Sequence, residues 1–268
     1  EVGAGVTGLQ PGDHVVGDPR VSCGDCRWCR QEKVNLYPDL GFIGEVCPGS
    51  FAEYLVLNEE RLLKVPPGVE LFKVALVEPL AVALHAVGKA NLSPLEALGI
   101  IGAGPVGLLT LLVARPFVKQ ILVIDRVPAR FELARRLGAD RVIQMLPKNP
   151  SEQVDVVVEA AGTGATLRGA LKWLKPGGRL VMAGLYEGSV PVEPNDILEK
   201  ELKIDGTNAY ERLDLEKAIS LIASGQVDVR PLISHILTLE SAAEGFLMLT
   251  SPDIDVVKIL LAPAPAVD

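Results

Sequence analysis

The residues best equipped for chemistry begin with a thiol cluster. Three of the four cysteines crowd into Cys23-Gly-Asp-Cys26-Arg-Trp-Cys29. Two-residue spacers between sulfurs suit one metal ion better than disulfide bridges, and zinc is the ion that tetrahedral thiolates select. A closed zinc site takes a fourth ligand, and none is obvious. Cys47 is the remaining cysteine, while Asp25, Glu32, Asp39 and His14 are lesser candidates. With three ligands alone the affinity falls, so a metal-free lobe stays open as the alternative.

A second group is built to receive phosphate. Gly102-Ala-Gly104-Pro105-Val106-Gly107 follows an apolar run and opens a helix-like one. The first glycine permits a tight turn, the second lets the backbone approach a pyrophosphate, and the third packs helix closely on strand. The helix N-terminus then presents N–H groups and positive dipole to the phosphates. Glycine-rich turns also occur for packing alone, but the strand before this one and the helix after it are the context a binding turn needs. Asp125 ends the next strand-like run, 18 residues beyond Gly107. A carboxylate there accepts from both ribose hydroxyls and repels a 2′-phosphate, which makes NAD the expected cofactor. Arg126 and Arg130 keep NADP open, since a guanidinium binds a 2′-phosphate; their bland reading is a solvated helix start. Gly184, Leu185 and Asn208 complete the expected cofactor contacts.

The elements that must position these groups change character along the chain. Residues 1–70 read as turns and short strands, punctuated by Pro11-Gly12, Gly17-Asp18-Pro19, Pro48-Gly49 and Pro66-Pro67-Gly68. Strand-like pieces there include Asp13–Val16 and Phe51–Leu57. From about residue 80 strands alternate with helices. Leu98–Ile101, Gln120–Asp125, Val154–Glu159 and Arg179–Ala183 read as strands, while Phe131–Leu137 and Leu167–Leu174 read as helices, the latter closed by Pro176-Gly177-Gly178. Such alternation implies parallel βαβ units and a doubly wound sheet, hence an α/β fold. The tail holds two helices, near Leu215–Ser224 and Ser241–Leu249, and a last strand, Asp255–Leu261, ended by Ala262-Pro263-Ala264-Pro265.

Composition narrows the function classes. The chain has 268 residues, and Lys plus Arg at 26 against Asp plus Glu at 34 leave a net charge of −8, the wrong sign for a nucleic-acid scaffold. Hydrophobic residues at 49% allow a large core, and aromatics at 4% make it mostly aliphatic. Residues 97–114 carry no charge over a length near that of a membrane span. Gly99, Gly102, Gly104, Pro105 and Gly107 break that stretch into a strand, a turn and a buried helix, so no membrane span is expected. The chain opens without a basic start or an apolar leader, and a cytoplasmic protein is expected.

Taken in order, these features resemble the medium-chain, zinc-type alcohol and polyol dehydrogenases, in the branch of sorbitol, threonine and butanediol dehydrogenases. The resemblance covers essentially the whole chain. It is carried by Gly8-Leu-Gln-Pro-Gly-Asp13-His-Val, the cysteine cluster, Gly49-Ser-Phe-Ala-Glu-Tyr54, Glu78-Pro-Leu-Ala-Val-Ala-Leu-His85, the Gly102–Gly107 turn with Asp125, and Lys175-Pro-Gly-Gly178. It implies a Rossmann domain over residues 81–207 and a β-rich, GroES-like catalytic domain over residues 1–80, incomplete at its N-terminus and completed by the return of residues 208–268. It implies reversible hydride transfer between the nicotinamide and a secondary alcohol or polyol, with zinc polarising the oxygen. It also implies a homodimer or homotetramer.

Two positions depart from the family pattern. The family lobe reads four cysteines, and the fourth falls on Tyr37, a phenol that ligates zinc poorly at neutral pH. Cys23, Cys26 and Cys29 therefore stand as the metal ligands. Family members also begin several tens of residues before the position of Glu1, and that stretch carries the catalytic cysteine and a Gly-His-Glu motif. Of the catalytic constellation Glu78 remains, beside the metal water in the polyol branch; its plainer role is a carboxylate at a helix start. The chain as it stands is expected to turn over weakly or not at all while still binding NAD. A non-catalytic NAD-binding protein or a fragment lacking the catalytic zinc site is the rival reading, and a zinc-independent reductase a third. Tyr210 matches a region near nicotinamide and substrate, with Ala209 where the family often has arginine. His85 is expected to be a satisfied core histidine, and His235 to lie on a surface loop.

Overall fold

The structure, a computed structural model, describes residues 1–146, 150, 152–251 and 256–263. The chain divides into two compact units, one of Glu1–Ala81 with the residues from Tyr210 onward, the other of Val82–Ala209.

The first unit is made of short, mostly antiparallel pieces, as its density of Gly and Pro dictates. β1 (Val15–Gly17) pairs with β4 (Leu62–Lys64), setting the buried Val16 opposite the buried Leu63. β2 (Arg20–Val21) pairs with β3 (Gly41–Phe42), and the short helix α1 (Arg27–Arg30) follows β2. A further short helix, α2 (Leu71–Val74), leads into α3 (Val77–Ala90), which carries the chain into the second unit.

The second unit is a six-stranded sheet of β5 (Ala97–Ile101), β6 (Gln120–Ile124), β7 (Arg141–Ile143), β8 (Val154–Glu159), β9 (Leu174–Met182) and β10 (Lys203–Gly206). The strand order is β10-β9-β8-β5-β6-β7, and every neighbouring pair is parallel. The chain thus winds outward in both directions from β5, and the order reverses between β5 and β8. A parallel sheet covered on both faces reads as continuous apolar strands, which is why Leu98, Ile100, Ile121, Leu122, Val156 and Val157 have no exposed surface. The crossover helices are α4 (Pro105–Ala114), α5 (Ala129–Arg136), α6 (Gly164–Trp173) and α7 (Pro194–Leu198). α4 is apolar on all sides and correspondingly buried. α6 starts where the Thr163 hydroxyl accepts from the backbone N–H of Thr166 and the Thr166 hydroxyl answers at the N–H of Thr163.

The chain returns to the first unit with α8 (Arg212–Ala223), β11 (Ile233–Thr238), α9 (Ala242–Thr250) and β12 (Lys258–Ala262), the two strands pairing in parallel. The sheet is the expected doubly wound one, and residues 97–114 split into β5, a turn and α4. Among the described residues no helix is long and apolar enough to cross a membrane.

Several local expectations are corrected. Phe51–Leu57 forms no strand, because alternating apolar residues need a neighbouring strand for their N–H and C=O groups and none pairs with this segment; Tyr54 and Val56 are 88% and 94% exposed. His235 sits inside β11, half-buried, rather than on a loop. β7 and β10 are short edge strands that the sequence reading passed over, since three or four residues give too little periodicity. Asp255, Ala264 and Pro265, assigned to the last strand and its end, lie outside the described residues.

Candidate functional site

In a parallel sheet all carboxyl ends lie on one edge, and the candidate cofactor residues gather there. Gly102 follows β5, Asp125 follows β6, Gly184 and Leu185 follow β9, and Asn208 follows β10. Ligands of such sheets bind at this edge where the strand order reverses. Gly102 holds φ +103°, and its N–H donates to the Ile124 carbonyl at 2.7 Å, so the backbone stays paired with β6 up to the first glycine of the turn. A Cβ on Gly107 would lie 1.8 Å from the carbonyl oxygen of Gly102, which fixes glycine where α4 crosses the turn. A Cβ on Gly104 would meet nothing within 4 Å, so backbone is open to a ligand at the very residue that caps α4. Pro105 takes the first helical position, where its missing N–H costs nothing, and Val106 continues the first turn. The turn therefore fits a pyrophosphate.

Asp125 is buried, with Oδ2 accepting from the Ala103 N–H at 2.6 Å and Oδ1 from the Val127 N–H at 2.8 Å. It ties the glycine turn to the end of β6. Each carboxylate oxygen has a second lone pair, so ribose hydroxyls can still be received. Arg130 stands 3.6 Å from Asp125 Oδ2, pairing with the carboxylate, whereas Arg126 is exposed. Leu185 is 92% exposed on the strap after β9, and Asn208 is exposed after β10. The sequence reading missed Glu159, the last residue of β8, which has no exposed surface. Its one signal was a carboxylate closing an otherwise apolar strand.

In the first unit, Glu78 opens α3 and lines a cavity of about 370 Å³ together with Val16, Gly17, Pro19, Leu57 and Val74. Burial pushes its carboxyl above the usual value, with Asp18 adding to the rise while Lys258 and Arg20 oppose it. Asp18 and Arg20 form a buried pair, Nε to Oδ1 at 2.9 Å and Nη2 to Oδ2 at 2.6 Å. Tyr210 donates its hydroxyl to Asp18 Oδ1 at 3.2 Å and has no exposed surface. Burial and the Asp18 charge raise its phenol pKa far above the ordinary value, so it stays protonated. Tyr210 is thus enclosed by this unit's own polar groups. His85 is buried in α3, and His14 is exposed beside β1.

The three cysteine sulfurs lie within 4.8 Å of one another, with Cys23 to Cys29 at 3.9 Å and Cys26 to Cys29 at 3.5 Å. Zinc–sulfur bonds of about 2.3 Å in a tetrahedron put sulfurs about 3.8 Å apart, so the trio fits three corners of a zinc site. Backbone N–H groups of Asp25 and Cys26 draw the Cys23 thiol down to about 7. Burial, followed by the charges of Cys23 and Asp39, raises the pKa of the Tyr37 phenol. Cys47, His14, Asp25, Glu32 and Asp39 do not join the group, which among the described residues is the one cluster of three or more such ligands. Glu78 belongs to no such cluster, so the described residues do not by themselves fit a second, catalytic ion.

The chain is similar to known proteins along most of its length. Residues 105–224 match the family model described as zinc-binding dehydrogenase, and residues 1–67 the alcohol dehydrogenase GroES-like domain. The chain is 32% identical over 261 residues to D-xylulose reductase A of Aspergillus oryzae, spanning 92% of this chain and 73% of that one. It is 32% identical over 256 residues to sorbitol dehydrogenase of Bacillus subtilis, spanning 91% and 72%. A zinc-binding dehydrogenase from Sinorhizobium meliloti, solved with NADP bound, superposes with a TM-score of 0.90 at 30% identity, over 98% of this chain and 80% of that one.

Proposed function

This chain belongs to the zinc-type, medium-chain alcohol and polyol dehydrogenase family and is an NAD(P)-dependent oxidoreductase; we propose that it favours NAD and that its substrate is a polyol. When bound, the nicotinamide supplies the carbon that accepts or gives the hydride. The chain's own residues do the holding. The Gly102–Gly107 turn and the first turn of α4 receive the pyrophosphate, and Asp125 receives the ribose hydroxyls. The Asp125 charge disfavours a 2′-phosphate, which supports NAD; the exposed Arg126 is what keeps NADP as the alternative. In the first unit, Glu78 holds or passes a proton at its carboxyl, a task suited to an acid whose proton affinity burial has raised. Cys23, Cys26 and Cys29 would hold zinc as a structural ion, which would stabilise the lobe around them.

The relatives named for D-xylulose and sorbitol support a polyol substrate. A homodimer or homotetramer is supported by β10, an edge strand whose four residues are all exposed. A cytoplasmic setting is supported by four unpaired thiols. The carrying observation is the glycine turn locked to Asp125 at the reversal of strand order. The test is titration of the purified protein with NADH and NADPH, followed by a panel of polyols with NAD while the absorbance of reduced cofactor is read. Failure to bind either dinucleotide sinks the reading.

A further inference from the structure

Glu159 is a fully buried charged side chain that hydride transfer does not use. It ends β8, next to the reversal of strand order. Its Oε1 accepts from the N–H of Ala161 at 2.9 Å and of Gly162 at 3.0 Å, and its Oε2 from Gly162 at 3.2 Å and from the Tyr186 hydroxyl. Its backbone carbonyl accepts from Ala183 at 2.8 Å and Gly184 at 2.9 Å. One residue therefore ties the loop after its own strand to the strap after β9.

The two loops also meet backbone to backbone. A Cβ on Gly162 would lie 2.1 Å from the carbonyl oxygen of Leu185, and one on Gly184 would lie 2.3 Å from the Gly162 nitrogen. On the other side, a Cβ on Gly102 would come within 3.2 Å of Ala161 N, so the phosphate turn abuts the same loop. Tyr186 is half-buried. Burial and the adjoining carboxylate hold its phenol in the protonated, donating form.

We propose that Tyr186 is a positioning residue for the nicotinamide half of the cofactor: its hydroxyl, latched to Glu159, holds the Gly184–Leu185 strap in the shape against which that half lies. The inference rests on the dinucleotide-binding reading above. A dinucleotide crosses the reversal point with one mononucleotide on each half of the sheet. Asp125 and the glycine turn belong to the half built on β5 and β6, so they take the adenosine and the pyrophosphate. The other mononucleotide falls to the half built on β8 and β9, and the strap is the chain that leaves β9. Removing the hydroxyl takes a donor from a buried carboxylate and a side-chain tie from the strap. The adenosine side, held by different residues, is untouched.

The experiment compares the unaltered chain with Tyr186→Phe and Glu159→Gln, measuring affinity for NADH and for ADP by calorimetry and the thermal midpoint alongside. ADP carries the adenosine and the two phosphates but neither the second ribose nor the nicotinamide, and so reports the adenosine side alone. Tyr186→Phe is expected to weaken NADH about tenfold, the loss of one hydrogen bond to a charged group, and to leave ADP unchanged. Glu159→Gln keeps one acceptor oxygen and is expected to give a smaller loss with the same selectivity. Equal losses for both ligands, or none for either, would overturn the positioning role. If the unaltered chain binds ADP but Tyr186→Phe alters only stability, the positioning role also fails while the cofactor reading stands. If the unaltered chain binds neither ligand, the cofactor reading itself has failed.

Discussion

The guanidinium carbon of Arg20 lies 4.3 Å from the ring centre of Tyr210, and the same guanidinium donates to the backbone carbonyl of that tyrosine. The two residues are 190 positions apart, one before and one after the chain's excursion through the second unit. Arg20 spends its donors on Asp18 and on Tyr210, and the Tyr210 hydroxyl turns back to Asp18. The result is a closed ring of charge and hydrogen bonds that joins the N-terminal strands of the first unit to the segment returning to it.

Breaking that ring at its centre is costly. Arg20→Ala leaves the Asp18 carboxylate, whose side chain is 13% exposed, without its cation. Removing one partner of a buried pair costs about 3–5 kcal/mol, while Tyr210→Phe, which deletes one hydroxyl, costs about 1 kcal/mol. Urea unfolding of both variants checks the ranking. An Arg20→Ala midpoint equal to that of the unaltered chain would mean the pair contributes nothing.

Glu78 gives a pH signature. Burial raises its folded-state pKa above the usual 4.5. For an acid so shifted, the unfolded chain ionises first; the group's contribution to stability is full below about pH 4.5 and is lost as pH rises through the folded value. Glu78→Gln is therefore expected to match the unaltered chain in stability at about pH 4 and to exceed it increasingly toward neutrality. Urea midpoints at several pH values decide it; a gain that is constant with pH would refute the burial argument.

How much of this was legible beforehand depends on how local each signal is. The glycine turn, Asp125 and the strands β5, β6 and β8 announce themselves within short windows, because runs of buried aliphatics and a turn with fixed spacing are local patterns. The thiolate trio is equally local. The ring of Asp18, Arg20 and Tyr210 is not, since Tyr210 lies 190 positions from Arg20 in sequence. Glu159 reads locally as the end of a strand, and its role depends on Gly162, Gly184 and Tyr186, which arrive from two later loops. The Phe51–Leu57 alternation misled for the opposite reason: a strand pattern is local, but a strand's hydrogen-bonding partner is not.

Asp125 sets cofactor choice by charge. Asp125→Asn removes the negative charge facing the ribose and keeps one acceptor oxygen where the carboxylate offers two to the Ala103 and Val127 N–H groups. NADH affinity should fall about tenfold, as a charged acceptor becomes neutral, and NADPH affinity should rise, so the gap between them narrows. Calorimetry with both reduced cofactors reads it directly. Stronger NADPH than NADH binding by the unaltered chain would sink the assignment.

Tyr37 decides how well the thiol lobe holds zinc. Its phenol stands close enough to feel the Cys23 charge but offers a poor ligand at neutral pH. Tyr37→Cys places a thiol there and completes a set of four, the closed arrangement of structural zinc sites. Zinc content after dialysis against a weak chelator should rise toward one ion per chain, and the thermal midpoint should rise with it. Cys26→Ser should do the reverse, lowering retained zinc while leaving NADH affinity unchanged, because the glycine turn and Asp125 belong to the other unit. Zinc analysis by atomic absorption on the three proteins gives the order. If Cys26→Ser retains as much zinc as the unaltered chain, the ion is held elsewhere and the trio is not its site.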